Sequence, residues 1–127
     1  MARTAIHPDG AAPVPFPLSF GIRKGNILQV AGQIPADHGT GAIVGDTVAE
    51  QTRQAMRNVT TVLAAGGATM DDVVMVRVYL TDTGHFADMN AAYQEFLTEP
   101  FPARTTVYVG LPAGVLVEID AMAVLDA

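Results

Sequence analysis

The nine residues from Val73 to Thr81, VVMVRVYLT, constrain this chain more than any other stretch. They are β-branched, apolar and long enough for a strand buried on both sides, and such a strand sits in the middle of a sheet whose faces must be covered. The flanking segments supply covers. Val48, Thr52, Ala55, Met56, Val59, Val62 and Leu63 recur at three- and four-residue steps, which predicts a helix with one buried stripe. Asp46 or Thr47 can cap its start, and Gly66-Gly67 supplies the left-handed stop. From Thr83 to Leu97 the helical spacing returns, with Phe86, Met89, Ala92, Tyr93 and Phe96 on one side, until Pro100 and Pro102 end it.

The remaining apolar stretches read as strands. Leu18–Ile22 and Asn26–Gln33 flank a turn at Arg23-Lys24-Gly25-Asn26, and a short strand fits at Ala42–Val44. Near the end, RTTVYVGL and VLVEIDAMAVL are expected to form a hairpin about Pro112-Ala113-Gly114. The proline-rich first 17 residues read as an extended arm, with order beginning near Leu18. The expected fold is therefore a two-layer α+β domain over residues 1–127, with both helices on one face of the sheet.

The other face needs a cover. Alternation in the last two strands assigns Thr105, Val107 and Val109, with Val117, Ile119, Ala121 and Ala123, to the helices. Arg104, Thr106 and Tyr108, with Leu116, Glu118, Asp120 and Met122, fall on the opposite face. That mixture of large apolar and charged groups suits a subunit interface better than water, so an oligomer is expected.

Composition narrows the partners. Seven Lys+Arg against thirteen Asp+Glu give a formal charge of -6, which repels a phosphate backbone and disfavours nucleic acid. There is no cysteine, so thiolate catalysis and thiolate metal sites are excluded. No apolar run reaches the ~18 residues of a membrane span, and the opening segment lacks an export signal, so a cytoplasmic protein without a membrane partner is expected.

Arg104 and Glu118 are the most informative polar pair. A tight hairpin would set them side by side, either as a ligand site or as a structural ion pair. Asp120 is expected to face solvent or pair with an arginine. His7, His38 and His85 show no ligand spacing, so no metal is expected. Asp82, His85 and Asp88 read as capping and solvation of a helix start. Lys24 lies in a turn, Ser19 lacks a GxSxG setting, and Gly39, Gly41 and Gly45 match no phosphate-binding fingerprint.

Several strings carry a family resemblance: GIRKGNILQVAGQIP, QTRQAMRNVTTVLAAGG, DDVVMVRVYLTD, FADMNAAYQEF, PARTTV and LVEIDAMA. Together they resemble the Rid/YjgF family of enamine/imine deaminases, the liver perchloric-acid-soluble protein type, over nearly the whole chain after the arm. The resemblance implies a chorismate-mutase-like mixed sheet with two helices on one face, assembled as a homotrimer with three clefts between subunits. It implies that Arg104, in the PAR string, anchors the carboxylate of an imine or keto-acid ligand. It further implies that Glu118 places or activates water, that Asn90 belongs to the site, and that the Gly32 backbone lines the cleft. The implied reaction is hydrolysis of 2-imino or enamine acids to 2-keto acids and ammonia, without a cofactor. This chain departs from the best-known members at Leu18, where they carry tyrosine, at Ala31, where they carry serine, and at Thr106, where they carry cysteine. These changes make the pocket more apolar and suit it to a larger imine. A non-catalytic metabolite-binding trimer and an accessory enzyme for a specialised imine remain open, whereas endoribonuclease activity is disfavoured by the acidic charge balance.

Overall fold

A computed structural model describes residues 2–126; Met1, at the start of the expected arm, and Ala127 lie outside the described residues. Six strands, β1 (Thr4–Ile6), β2 (Gly21–Lys24), β3 (Ile27–Gln33), β4 (Val73–Leu80), β5 (Ala103–Tyr108) and β6 (Val117–Val124), form one mixed sheet. Their spatial order is β1-β2-β3-β6-β4-β5. Two helices, α1 (Val48–Ala65) and α2 (Phe86–Gln94), pack on one face. This is the expected α+β architecture.

Helix α1 forms where its stripe and its ends agree. Thr47 caps it: the Thr47 hydroxyl accepts from the Glu50 N–H while the Glu50 carboxylate accepts from the Thr47 N–H. At the other end the Gly66 N–H returns to the Val62 and Leu63 carbonyls, and Gly67 turns the chain at φ 84°. The Met56, Val59, Val62 and Leu63 side chains are completely or almost completely buried, against Leu28, Val30, Val78 and Ile119 from the sheet. Helix α2 is shorter than its sequence period suggests. Residues Thr83–His85 form a separate 3-10 turn in which the Asp82 carboxylate accepts from the Gly84 N–H.

Four expectations are corrected. Order begins earlier than Leu18: Thr4–Ile6 pairs antiparallel with β2 as the edge strand, because its residues can donate to a ladder and the prolines begin only at Pro8. The Ala42–Val44 segment makes a single bridge, Ala36 to Ile43, since the glycines around it break any longer ladder. Strand β4 is buried on one face only in the chain as described: Val76, Val78 and Leu80 are buried, while Arg77 is exposed.

The fourth correction matters most. β5 and β6 are not a hairpin: β5 runs parallel to β4, whereas β6 lies between β3 and β4 and is antiparallel to both. The crossover through α2 returns the chain in the same direction as β4, as parallel pairing requires, and the following loop then carries it past β4 into the middle of the sheet. Register settles the faces. Arg104 and Thr106 stand opposite Val76 and Val78 on the helix-covered face, while Glu118 and Asp120 stand opposite Tyr79 and Arg77 on the open face. The alternation assigned to β5 is thus inverted. An edge strand only partly covered by α2 has no fully apolar side from which its parity could be read.

Candidate functional site

The sequence-predicted site residues separate into two groups on opposite faces of the sheet. Arg104, Asn90 and Thr106 form the first, at the β5 edge beneath α2. The Arg104 Nη1 donates to Asn90 Oδ1 at 2.7 Å, which fixes the guanidinium against the helix. Its carbon lies 5.1 Å from the centre of the Tyr93 ring and 5.6 Å from that of Phe86, so two aromatic rings and an amide orient the cation. Among the described residues no carboxylate pairs with it, and the two ion pairs present are Arg53–Glu95 and Arg77–Asp120. The fork therefore has N–H groups to offer a ligand.

A hollow of about 550 Å³ opens beside it, lined by Asn90, Tyr93, Leu97, Phe101 and Arg104 among others. Two hydroxyls nearby, Tyr93 OH and Thr106 Oγ1, are buried without a hydrogen-bond partner, an arrangement that costs free energy unless something else satisfies them. Burial pushes the Tyr93 phenol up, and the Arg104 charge only partly opposes this, so Tyr93 stays a neutral donor. A cation with free N–H groups, backed by a neutral phenol, is suited to bind a small carboxylate.

Leu18, Ala31, Gly32 and Glu118 form the second group. Between Val30 and Gln33 strand β3 carries one residue more than β6 opposite it, and this bulge brings Gly32 against Glu118. A Cβ at position 32 would run into the Glu118 carboxylate, so glycine is what lets the acid lie over the backbone. Burial pushes the Glu118 carboxyl up, and the neighbouring Asp120 charge pushes it further. Asp120 itself accepts from Arg77 Nε at 2.9 Å and from Tyr79 OH at 2.7 Å, the arginine pairing expected of it. A carboxyl that holds its proton more readily than an exposed glutamate can take a proton from water and return it.

This second hollow, about 560 Å³, is walled by the N-terminal arm, β3 and the loop after it. His38 Nε2 lies 2.8 Å from Gln33 Oε1; the Gln33 amide nitrogen donates to Ala31 O, leaving its oxygen to accept from the imidazole. Burial pushes the His38 imidazole down, toward its neutral form.

The expected hairpin pairing of Arg104 with Glu118 is absent: β4 separates their strands, their side chains occupy opposite faces, and no described residue lines both hollows. A structural ion pair between them within one chain is excluded by the same geometry. Tyr93 is part of the buried core, as its helical spacing suggests, whereas Phe86 is exposed; what the sequence reasoning missed is that both rings lie against Arg104. Their spacing with Asn90 held the signal, since positions 86, 90 and 93 recur at four and three residues and share one helix face. His38 was missed because no nearby sequence feature ties it to Gln33.

Among the described residues no helix is long and apolar enough to cross a membrane. The sequence model of the family described as Endoribonuclease L-PSP matches residues 10–125. A RutC family protein of Pyrococcus horikoshii is 47% identical over 114 residues, 88% of this chain and 90% of that protein. The Escherichia coli 2-iminobutanoate/2-iminopropanoate deaminase is 41% identical over 112 residues, 85% of this chain and 87% of that protein. Among solved structures, E. coli TdcF with bound serine superposes with a TM-score of 0.88 at 33% identity, covering 97% of this chain and 99% of that one. By these similarities the chain belongs to the Rid/YjgF family, the family of the Endoribonuclease L-PSP model.

Proposed function

We propose that this protein hydrolyses 2-imino acids, or their enamine tautomers, to 2-keto acids and ammonia in a cleft shared by neighbouring copies of the chain, assembled as a homotrimer. The observation that carries this reading is the oriented Arg104 guanidinium, which has no carboxylate partner among the described residues and opens onto a hollow. The similarity to a protein named as an imine deaminase supports the reaction class, and the serine bound in a structural neighbour supports a small amino-acid-like ligand.

Arg104 would hold the substrate carboxylate, leaving the imine carbon to meet a water beside Glu118 and the Gly32 backbone. Water adds to the C=N carbon of the protonated imine while the Glu118 carboxylate takes one of its protons and the nitrogen takes the C=N electron pair, giving a neutral carbinolamine. Proton transfer to nitrogen then lets the C–N bond break, so that ammonia leaves and the hydroxyl oxygen, losing its proton, becomes the ketone. The imine carbon is electrophilic from the start, so these steps use only water and a proton shuttle.

Because the two hollows occupy opposite faces of one chain, the reaction needs a neighbour. The open sheet face carries Ile27, Met75, Val107, Met122 and Val124, of which Ile27 is 46% exposed and Val107 38%. A second copy covering that face would remove apolar surface from water and could bring its own Arg104 to this chain's Glu118. A non-catalytic reading, in which the trimer binds a keto acid without turning over the imine, draws on Leu18 and Ala31, which give the Glu118 hollow no side-chain hydroxyl at those positions.

The test measures keto-acid and ammonia formation from imines released in situ by an amino-acid oxidase. The protein should accelerate hydrolysis and Arg104→Ala should not. An unchanged rate in the variant overturns the assignment, while keto-acid binding without acceleration favours the non-catalytic reading.

A further inference from the structure

The hollow around Glu118 is built mainly by parts of the chain that the hydrolytic chemistry does not use. Val14 and Phe16 of the arm, with Leu18 just after it, face Ala31 and Ile34 across it. Phe16 is 64% exposed and Leu18 53%, so two large apolar side chains are presented to the hollow's mouth rather than to the core. Its volume, about 560 Å³, lies within the ~300–1,000 Å³ of small-molecule pockets.

The arm is clasped to the opposite wall. Ala12 N–H donates to His38 O at 2.9 Å. The Phe20 ring stands edge-on between His7 and His38, with centroids 5.2 Å and 4.9 Å away. The pocket is therefore held open in advance, so a ligand does not have to order the arm on binding.

The charges in this hollow fix which end of a substrate can enter. Two carboxylates line it, Glu118 and Asp37. Asp37 accepts from the Gly39 and Thr40 N–H groups, which hold its carboxyl below the ordinary range, so it stays ionised. The one basic group in the lining, His38, is kept toward neutrality by burial. A substrate carboxylate would meet like charge here, whereas an uncharged apolar group would meet Phe16, Leu18 and Ala31.

We infer that the arm-walled hollow is the side-chain pocket of the cleft and selects 2-imino acids bearing a bulky apolar side chain, branched aliphatic or aromatic, with Phe16 and Leu18 as the specificity-determining residues. This rests on the deaminase reading for the reaction but not for the binding. With the carboxylate on Arg104 and the reacting carbon beside Glu118, the substituent on that carbon has the arm-walled hollow open to it. A buried aliphatic or aromatic group there is expected to tighten binding about ten- to a hundred-fold over a methyl group.

Two measurements on the intact protein separate this inference from the reading beneath it. Calorimetry compares phenylpyruvate and 4-methyl-2-oxopentanoate with pyruvate; the bulky acids should bind at least about ten-fold more tightly. In Phe16→Ser and Leu18→Ser that ratio should shrink several-fold. Equal affinities, tighter pyruvate binding, no binding of any of the three, or a ratio unmoved by both substitutions overturns the inference, as would occur if a neighbouring copy filled the hollow. Rates on imines from phenylalanine, leucine and alanine give the second readout. Size-selective binding without hydrolysis sinks the deaminase reading and leaves the pocket standing. Hydrolysis with the same kcat/KM for all three imines does the reverse.

Discussion

The two hollows on this chain are similar in volume and opposite in character. Beside Arg104 there is a cation braced by Asn90, Tyr93 and Phe86, with two buried hydroxyls lacking partners and no proton-accepting carboxylate in the lining. At Glu118 there is a carboxyl with a raised pKa in an apolar, arm-walled space, with no permanent cation among the described residues of the lining. Each holds what the other lacks. The fold keeps the Arg104 guanidinium and the Glu118 carboxyl on different faces, where they cannot neutralise each other within one chain. On the proposed reading they act together where two copies meet.

The largest expected effect comes from removing the cation. Arg104→Ala should lower kcat/KM by about a thousand-fold or more, because both a charge-assisted contact and substrate orientation are lost. Arg104→Lys should recover little, since an ammonium bonded to Asn90 cannot also fork onto a carboxylate. If lysine restored full activity, the Arg104 hollow would be supplying no more than net charge.

Glu118→Gln should lower kcat by about a hundred-fold while leaving keto-acid affinity within a few-fold, a separation that Arg104→Ala should not show. The pH dependence follows from the direction of the shift. Glu118 must be ionised to accept a proton, and burial raises its pKa, so the acidic limb of the rate profile should lie above the ordinary glutamate value and vanish in the variant. Stability carries the matching sign. A carboxyl with a raised folded-state pKa contributes stability below its unfolded pKa and loses it as pH rises through the folded value, so Glu118→Gln should gain on the wild type at neutral pH and not in acid. Denaturant midpoints at the two pH values measure this.

Val107→Asp probes the face between the hollows. The residue is exposed in the single chain, so chain stability should change by no more than about 0.5 kcal/mol, yet light scattering should show a smaller species with little activity. The smallest effect is expected from Tyr93→Phe, which keeps the ring under Arg104 and removes only an unpartnered hydroxyl. Stability should hold or rise slightly, and a few-fold loss in kcat/KM would indicate that the phenol bonds the ligand.

How much of this was legible beforehand follows from which contacts are local. Helix α1 could be read because Thr47, its buried stripe and Gly66-Gly67 mark the same segment independently. The interposition of β6 between β3 and β4 could not, since strand order is set by contacts between residues far apart in the chain and an eight-residue connection after Tyr108 looks locally like a long hairpin loop. Arg104, Asn90, Gly32 and Glu118 were singled out in the sequence, and the structure sets Arg104 on Asn90 and Glu118 over Gly32, whereas the division between two faces was not legible. Placing Arg104 and Glu118 on opposite faces required the register against β4, and the His38–Phe20–His7 clasp required knowing that the arm folds back onto the loop.

The most direct test of a shared cleft mixes two inactive proteins. Arg104→Ala and Glu118→Ala chains, each assembled alone, should be inactive. After denaturation and joint refolding at equal amounts, cyclic trimers with random neighbours should regain about a quarter of wild-type activity, the chance that an intact Arg104 meets an intact Glu118 on the adjoining copy. Co-assembly without any recovery would contradict the account and place the whole site within a single chain.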